Sequence, residues 1–172
     1  PFGLGVVGAG ISVNDEFDKE VSRAFEVGFK GTYLDGRLAM NGAYFNTNVT
    51  DNQFFEFFAG PWGLLRVVTT IDELDISGYE LDFKYAVTDN LKIDCAFGIT
   101  DGEIKENAHR PSTIGNDAPL APEHSFNLGF QYDTPVTKDF DLVLRVDNME
   151  VGNTWFHTVQ NNTGPSVWTA LL

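Results

Sequence analysis

The sequence predicts an all-β fold: antiparallel, up-and-down strands of a transmembrane β-barrel, with these 172 residues forming part of it. Three observations carry this reading. Alternation of period two recurs along the chain, with one face apolar and almost free of charge. The opposite faces carry both signs of charge. Short turns alternate with long connections, the asymmetry of a barrel with tight turns at one rim and loops at the other.

The segments follow in order. Residues 14–24 hold few apolar positions (Phe17, Val21 and Ala24), and they read as a short helix or a loop with a solvated acidic face. From residue 25, Phe25, Val27, Phe29, Gly31 and Tyr33 alternate with Glu26, Gly28, Lys30 and Thr32. Asp35-Gly36 then predicts a two-residue hairpin turn, in which both central positions need positive φ. The return strand sets Leu38, Met40, Gly42 and Tyr44 against Ala39, Asn41, Ala43 and Phe45.

A second pair repeats the pattern. Tyr79, Leu81, Phe83, Tyr85 and Val87 alternate with Glu80, Asp82, Lys84 and Ala86, and residues 88–90 turn the chain. Leu91, Ile93, Cys95, Phe97 and Ile99 then alternate with Lys92, Asp94, Ala96, Gly98 and Thr100. In a third pair, Phe126, Leu128, Phe130 and Tyr132 alternate with Asn127, Gly129 and Gln131. After a turn near Pro135, Leu142, Leu144 and Val146 alternate with Asp141, Val143, Arg145 and Asp147. Tyr33, Tyr85 and Tyr132 each precede a short turn, so a barrel would place them at one level as an interfacial girdle. Longer connections are expected over residues 47–69, 101–124 and 149–166.

Composition narrows the classes. With 25 acidic residues against 11 basic ones, the net charge of −14 argues against a nucleic-acid partner. The single Cys95 excludes an internal disulfide framework and a thiolate zinc cluster. No apolar run reaches the ~18 residues of a transmembrane helix, which leaves a strand-built barrel open. The chain opens on Pro1 and stops at Leu172 within an apolar run, so it reads as an internal piece of a longer protein.

Several motifs that could carry chemistry fall away. Gly3-Leu4-Gly5-Val6-Val7-Gly8 has the glycine spacing of a dinucleotide loop but lacks the strand before it and the βαβ context after it. His109, His124 and His157 have neither an i, i+4 partner nor a Cys companion, so no metal site and no catalytic residue is assigned. Asp101, Glu103 and Glu106 lack EF-hand spacing. No cofactor is implied. The most unusual segment is Phe54-Phe55-Glu56-Phe57-Phe58 with Trp62. In an outer loop it would be an aromatic trap for a ligand; as a strand extension it would pack on its neighbours. His109, Arg110, Trp155 and His157 are the other candidate ligand-binding residues in loops.

The ordered motifs resemble those of TonB-dependent outer-membrane receptors. Residues 25–31 with residues 38–45 resemble the family's "E-x-G-x-K … l-x-l-N-x-A-x-F" run. Residues 71–81 resemble its "N-i-…-i-x-G-x-E-l" strand, with Thr70 where Asn is usual. Gly98-Ile99-Thr100, Gly115-Asn116-Asp117-Ala118-Pro119 and Ala121-Pro122-Glu123-His124 are similar to its "G-Y-T-…-G-N-x-x-P-x-x-P-x-y" loop, with Ile99 in place of Tyr. Arg145-Val146-Asp147, Gly152 and Trp155 resemble the strand and loop that follow. The matches span residues 25–156.

This resemblance implies that residues 1–172 are a partial barrel domain of a larger receptor, from the late part of the barrel, with its plug and its barrel ends elsewhere. It implies a bacterial outer-membrane location and lipid contact. It also implies energised uptake of a scarce nutrient, such as an iron–siderophore complex, driven by the TonB complex through an N-terminal part. No covalent chemistry is involved. From the alternation alone, a passive porin or small outer-membrane barrel and a soluble all-β carbohydrate-binding domain also stand.

Overall fold

The computed structural model describes residues 17–60, 63–160 and 166–171. Among these described residues, seven strands make one sheet: β1 (Val21–Tyr33), β2 (Leu38–Gly60), β3 (Gly63–Ala86), β4 (Leu91–Glu106), β5 (His124–Pro135), β6 (Asp141–Thr154) and β7 (Ser166–Leu171). Their order in space is their order in sequence, and every pair is antiparallel. This is the wall of an up-and-down barrel over part of its circumference. Among the described residues no helix is long and apolar enough to cross a membrane, which says nothing against crossing by strands.

The short turns form as their residues dictate. Leu34 O accepts from Arg37 N at 3.1 Å, and the central residues have φ of 55° (Asp35) and 89° (Gly36). Positive φ at both positions is what a type I′ turn needs; Leu34 before them also has φ of 55°, so the connection between the paired Tyr33 and Leu38 is four residues, longer than the expected two. Between β3 and β4, the Thr88 hydroxyl accepts from the backbone of Asn90 at 3.2 Å and Leu91 at 2.9 Å. Between β5 and β6, Val136 N donates to Phe140 O at 3.0 Å. Side chains staple neighbouring turns together. Arg37 Nε donates to Ala86 O at 2.9 Å and its Nη2 to Val87 O, while Asn90 Nδ2 donates to Asp133 O at 2.5 Å.

Register sorts the two faces. One row on the outer face runs Tyr33, Leu38, Tyr85, Ile93, Phe130 and Val146. The next rows away from the turns hold Met40, Phe83, Cys95 and Leu128, then Phe29, Leu81, Phe97 and Phe126. Several of these side chains remain open: Phe29 is 52% exposed and Val146 53%. In water such a continuous apolar face would be a large unpaired patch; facing lipid, it is at home. Tyr33 and Tyr85 share one row, and Tyr132 lies one pleat nearer the turns, paired with Leu91. A second pair, Tyr44 and Tyr79, meets with tilted rings at 5.1 Å between ring centroids on the far side of the apolar band.

The inner face carries the charge. Asn41 Nδ2 donates to Asp82 Oδ1 at 2.9 Å. Arg145 bridges Asp94 at 3.0 Å and Asp147. Gly129, opposite Asp94 in β5, makes that bridge possible: a Cβ there would lie 2.6 Å from Asp94 Oδ2 and 2.7 Å from Arg145 Nη2. Lys92 and Asp133 pair at 2.8 Å. On β1–β3, by contrast, Glu26, Lys30, Glu80 and Asp82 border an open concavity floored by Gly28 and Ala43.

Several expected connections are strand. Residues 47–60 continue β2, and residues 63–69 are the start of β3, so the expected 47–69 loop is a long hairpin. β2 and β3 run for 23 and 24 residues against 12–16 in β1, β4, β5 and β6. β4 reaches Glu106 and β6 reaches Thr154, well into the other two expected loops. Residues 21–24 open β1, so no helix occupies them. Each difference has one cause. Beyond the apolar band the strands persist through ladder hydrogen bonds between backbones, which do not need strict alternation.

Candidate functional site

The buried core lies at the rim with the long connections. Val49, Ile71, Leu74, Ile104 and Ala118 form one cluster, with Phe54, Ile76 and Ala121 packed on it; Ile104 is 0% exposed and Ile71 1%. It gathers side chains from β2, β3, β4 and the β4–β5 connection. Asp51, with φ of 56°, interrupts the β2–β3 ladder just above Thr50, and Asp72 Oδ2 accepts from Ala108 N at 2.5 Å. The β4–β5 connection is thereby tied to β3.

That connection has its own polar interior. Asn107 Nδ2 donates to Thr113 Oγ1 at 3.0 Å, Thr113 Oγ1 donates to Arg110 O at 2.8 Å, and Arg110 N donates to Asn107 Oδ1 at 2.9 Å. Asn107 and Thr113 are both buried, and burial is affordable because each polar atom has a partner. A single 3₁₀ turn, Pro111–Thr113, closes this loop.

The β4–β5 and β6–β7 connections are also joined to each other. Leu120 N donates to Trp155 O at 2.7 Å and Glu123 N to Asn153 O at 3.0 Å. Asn116 Nδ2 donates to Thr158 O at 2.8 Å, Gln160 Nε2 to Asp117 O at 2.8 Å, and Asp117 N to Gln160 Oε1 at 3.1 Å. The two joined segments carry four of the predicted ligand residues: His109 and Arg110 on the first, Trp155 and His157 on the second. His109 and His157 are exposed, while Arg110 and Trp155 are half-buried.

The aromatic segment divides. Phe54 packs against the core cluster, as a strand extension would, while Phe55 is 47% exposed. The backbones of Phe57 and Phe58 pair with Arg66 and Leu65; their side chains lie outside the described set, and Trp62 lies outside the described residues. Sequence reasoning missed the joining residues Asn116, Asn153 and Gln160. Their signal, amides in polar connections, is common to all loops.

Just above Tyr44 and Tyr79, Asn48 Nδ2 donates to Glu73 and Asp75, each at 2.8 Å. On the adjoining strand Lys105 pairs with Glu103 at 2.5 Å. That hydrogen bond, helped by the charges of Glu103, Asp75 and Asp101, holds the Lys105 ammonium above its ordinary pKa. Among the described residues, no three His, Cys, Asp or Glu side chains gather as a metal site.

Comparison with known proteins decides the family. The model described as TonB dependent receptor-like, beta-barrel matches residues 2–170. The chain belongs to the TonB-dependent receptor family. A curated relative, the probable TonB-dependent receptor BfrD of Bordetella pertussis, is 27% identical over 124 residues, covering 69% of this chain and 15% of its own length. Among solved structures, the ferric yersiniabactin uptake receptor FyuA of Yersinia pestis superposes with a TM-score of 0.69 at 20% identity, over 90% of this chain and 22% of its own. The copper transporter OprC gives 0.70 at 18% identity, over 91% and 23%. The siderophore receptor PiuA of Acinetobacter baumannii gives 0.68 at 20% identity, over 93% and 23%. These three structures share the fold. The chain spans less than a quarter of the length of each, and family membership sets aside the soluble-domain reading.

Proposed function

We propose that this chain is a section of the barrel wall of an outer-membrane receptor that takes up a scarce, metal-bearing nutrient, with an iron–siderophore complex as the first candidate. In this reading residues 1–172 are a partial barrel domain, and the plug and the part that meets the TonB complex belong to the rest of the protein. The single observation that supports it best is the joined surface at the mouth, built on a family barrel and presenting His109, Arg110, Trp155 and His157. Exposed Phe55 adds an apolar contact on the neighbouring hairpin. Aromatic and cationic side chains on a fixed frame suit an aromatic, metal-chelating ligand. The apolar outer face supports a location in outer-membrane lipid.

The cargo has a second reading. One structure with the same fold is a copper transporter, and histidines at the mouth suit copper as well as a ferric chelate. The deciding experiment is uptake of labelled cargo into cells making the full-length receptor, with and without TonB. TonB-dependent accumulation of one ferric chelate supports the first reading, and of copper the second. Accumulation independent of TonB, with open conductance in planar bilayers, overturns both in favour of a passive porin.

A further inference from the structure

One motif at the mouth, Pro119-Leu120-Ala121-Pro122, has no part in the function proposed above. Pro119 and Leu120 are turn residues, and Leu120 has φ of 64°. Glycine or asparagine usually fills a turn position of that kind, because a larger side chain crowds the following carbonyl oxygen. Leucine is therefore a costly choice. Burial does not offset the cost, since Leu120 is 61% exposed. A strained residue whose side chain the fold does not use points to a use outside the fold.

The turn is held from both sides. Ala118 before it is 2% exposed within the core cluster, and Ala121 after it packs against that cluster. Ala118 N donates to Gly102 O at 2.8 Å. Glu123 O accepts from Thr100 N at 2.9 Å, and Glu123 N donates to Asn153 O at 3.0 Å. Leu120 N itself donates to Trp155 O at 2.7 Å, which sets the turn against the second connection. Trp155 is half-buried, and Phe156, next along the chain, is 53% exposed. Leu120 is thus an apolar knob on a fixed frame, and a group fixed in advance loses little freedom when a ligand covers it.

We propose that Leu120 is a specificity-determining contact of the mouth site, on which an apolar ring or chain of the cargo rests. This rests on the receptor reading and deepens it. A bare metal ion gains nothing from an exposed leucine, whereas an organic chelate with an apolar part buries it. Covering that side chain is worth about tenfold or more in affinity.

The test uses the full-length receptor with Leu120→Asn, a polar residue that accepts positive φ. Leu34→Asn is the control: Leu34 has φ of 55° and is 58% exposed, but it lies in the β1–β2 turn at the opposite rim. Both variants should unfold at a denaturant midpoint no lower than wild type, because each relieves strain. The probes are a ferric catecholate, ferric citrate (which has no ring) and copper(II) alone, with binding followed by quenching of tryptophan fluorescence. Leu120→Asn should weaken the catecholate by about tenfold or more and leave any binding of the other two within about twofold; Leu34→Asn should change none. Unchanged catecholate affinity in Leu120→Asn overturns the proposal, as does a receptor that binds no catecholate. A lowered midpoint for Leu120→Asn alone also overturns it, since the leucine would then serve the fold. A second readout needs no cargo. Leu120→Cys in a Cys95→Ala background should react on intact cells with a membrane-impermeant maleimide, and protection would mean that another part of the chain covers the turn. TonB-dependent uptake of the catecholate, equal in wild type and Leu120→Asn, counts against this contact alone; uptake of every probe without TonB counts against the receptor reading.

Discussion

Between Tyr79 and Tyr85 the sheet exposes its apolar side chains, while between Val49 and Ile104 it buries them. The two regions share strands β2, β3 and β4, yet opposite rules hold their side chains. Near the short turns, alternation is strict, as the proposed location requires of a sheet that separates lipid from a polar lumen. Near the mouth both faces meet water or protein, so the apolar residues need a cluster of their own. The β4–β5 connection provides it, with Ala118 completing a core made by Val49, Ile71, Leu74 and Ile104. The comparison teaches that one strand can change its rule along its length once its surroundings change.

The largest expected effect comes from the mouth. Ile104→Ala removes a fully buried side chain and should destabilise the mouth by about 2–5 kcal/mol. Protection of amides 115–118 should fall with it, measured by hydrogen exchange on the full-length receptor. Unchanged protection there would show that the cluster does not hold the connection.

Next is the apolar band. Phe83→Arg places a charge on the outer face, at a cost of about 2–4 kcal/mol if it lies at mid-bilayer. Reversible unfolding of the receptor in lipid vesicles would measure it. The same substitution should be far milder in detergent, where the arginine reaches water. Equal losses in both media would mean that Phe83 packs against protein.

A smaller effect belongs to the turn. Gly36→Ala retains open space around the new methyl but demands φ near 89° from a residue that resists it, costing about 1 kcal/mol. Denaturant midpoints would show it, and no shift would mean that the turn relaxes freely. Smallest for stability is Phe55→Ala, expected within about 0.5 kcal/mol of wild type because the ring is exposed. Its effect should appear instead in the affinity for cargo, measured by titration. A loss of stability with unchanged affinity would move Phe55 from the ligand surface to the fold.

Much of the wall was legible in the sequence. The alternation of residues 25–33, 79–87, 91–99 and 126–132 marks strands and faces, since a period of two leaves little freedom; the girdle is only partly met, with Tyr132 one pleat from the row of Tyr33 and Tyr85. Asp35-Gly36 named its own turn for the same kind of reason: few residue pairs accept two positive φ values. The ends of the strands were not legible. Residues 47–60 and 63–69 read as a connection because they lack clean alternation, and what holds them is the ladder between two backbones, which any sequence can form.

The candidate site was half legible. Residue chemistry singled out His109, Arg110, Trp155 and His157, but nothing local tells that the segments carrying them meet. Phe54 and Phe55 are neighbours of the same type, and pleating sends one into the core and the other to the surface. The sequence by itself determined a β wall with one charged and one apolar face, because alternation and turn chemistry act over a few residues. Only the tertiary structure decided where the wall ends, that its core sits at the mouth, and that two distant connections are joined. Those outcomes depend on hydrogen bonds between residues about 40 positions apart, such as Asn116 with Thr158 and Asp117 with Gln160, and no local pattern encodes such pairing.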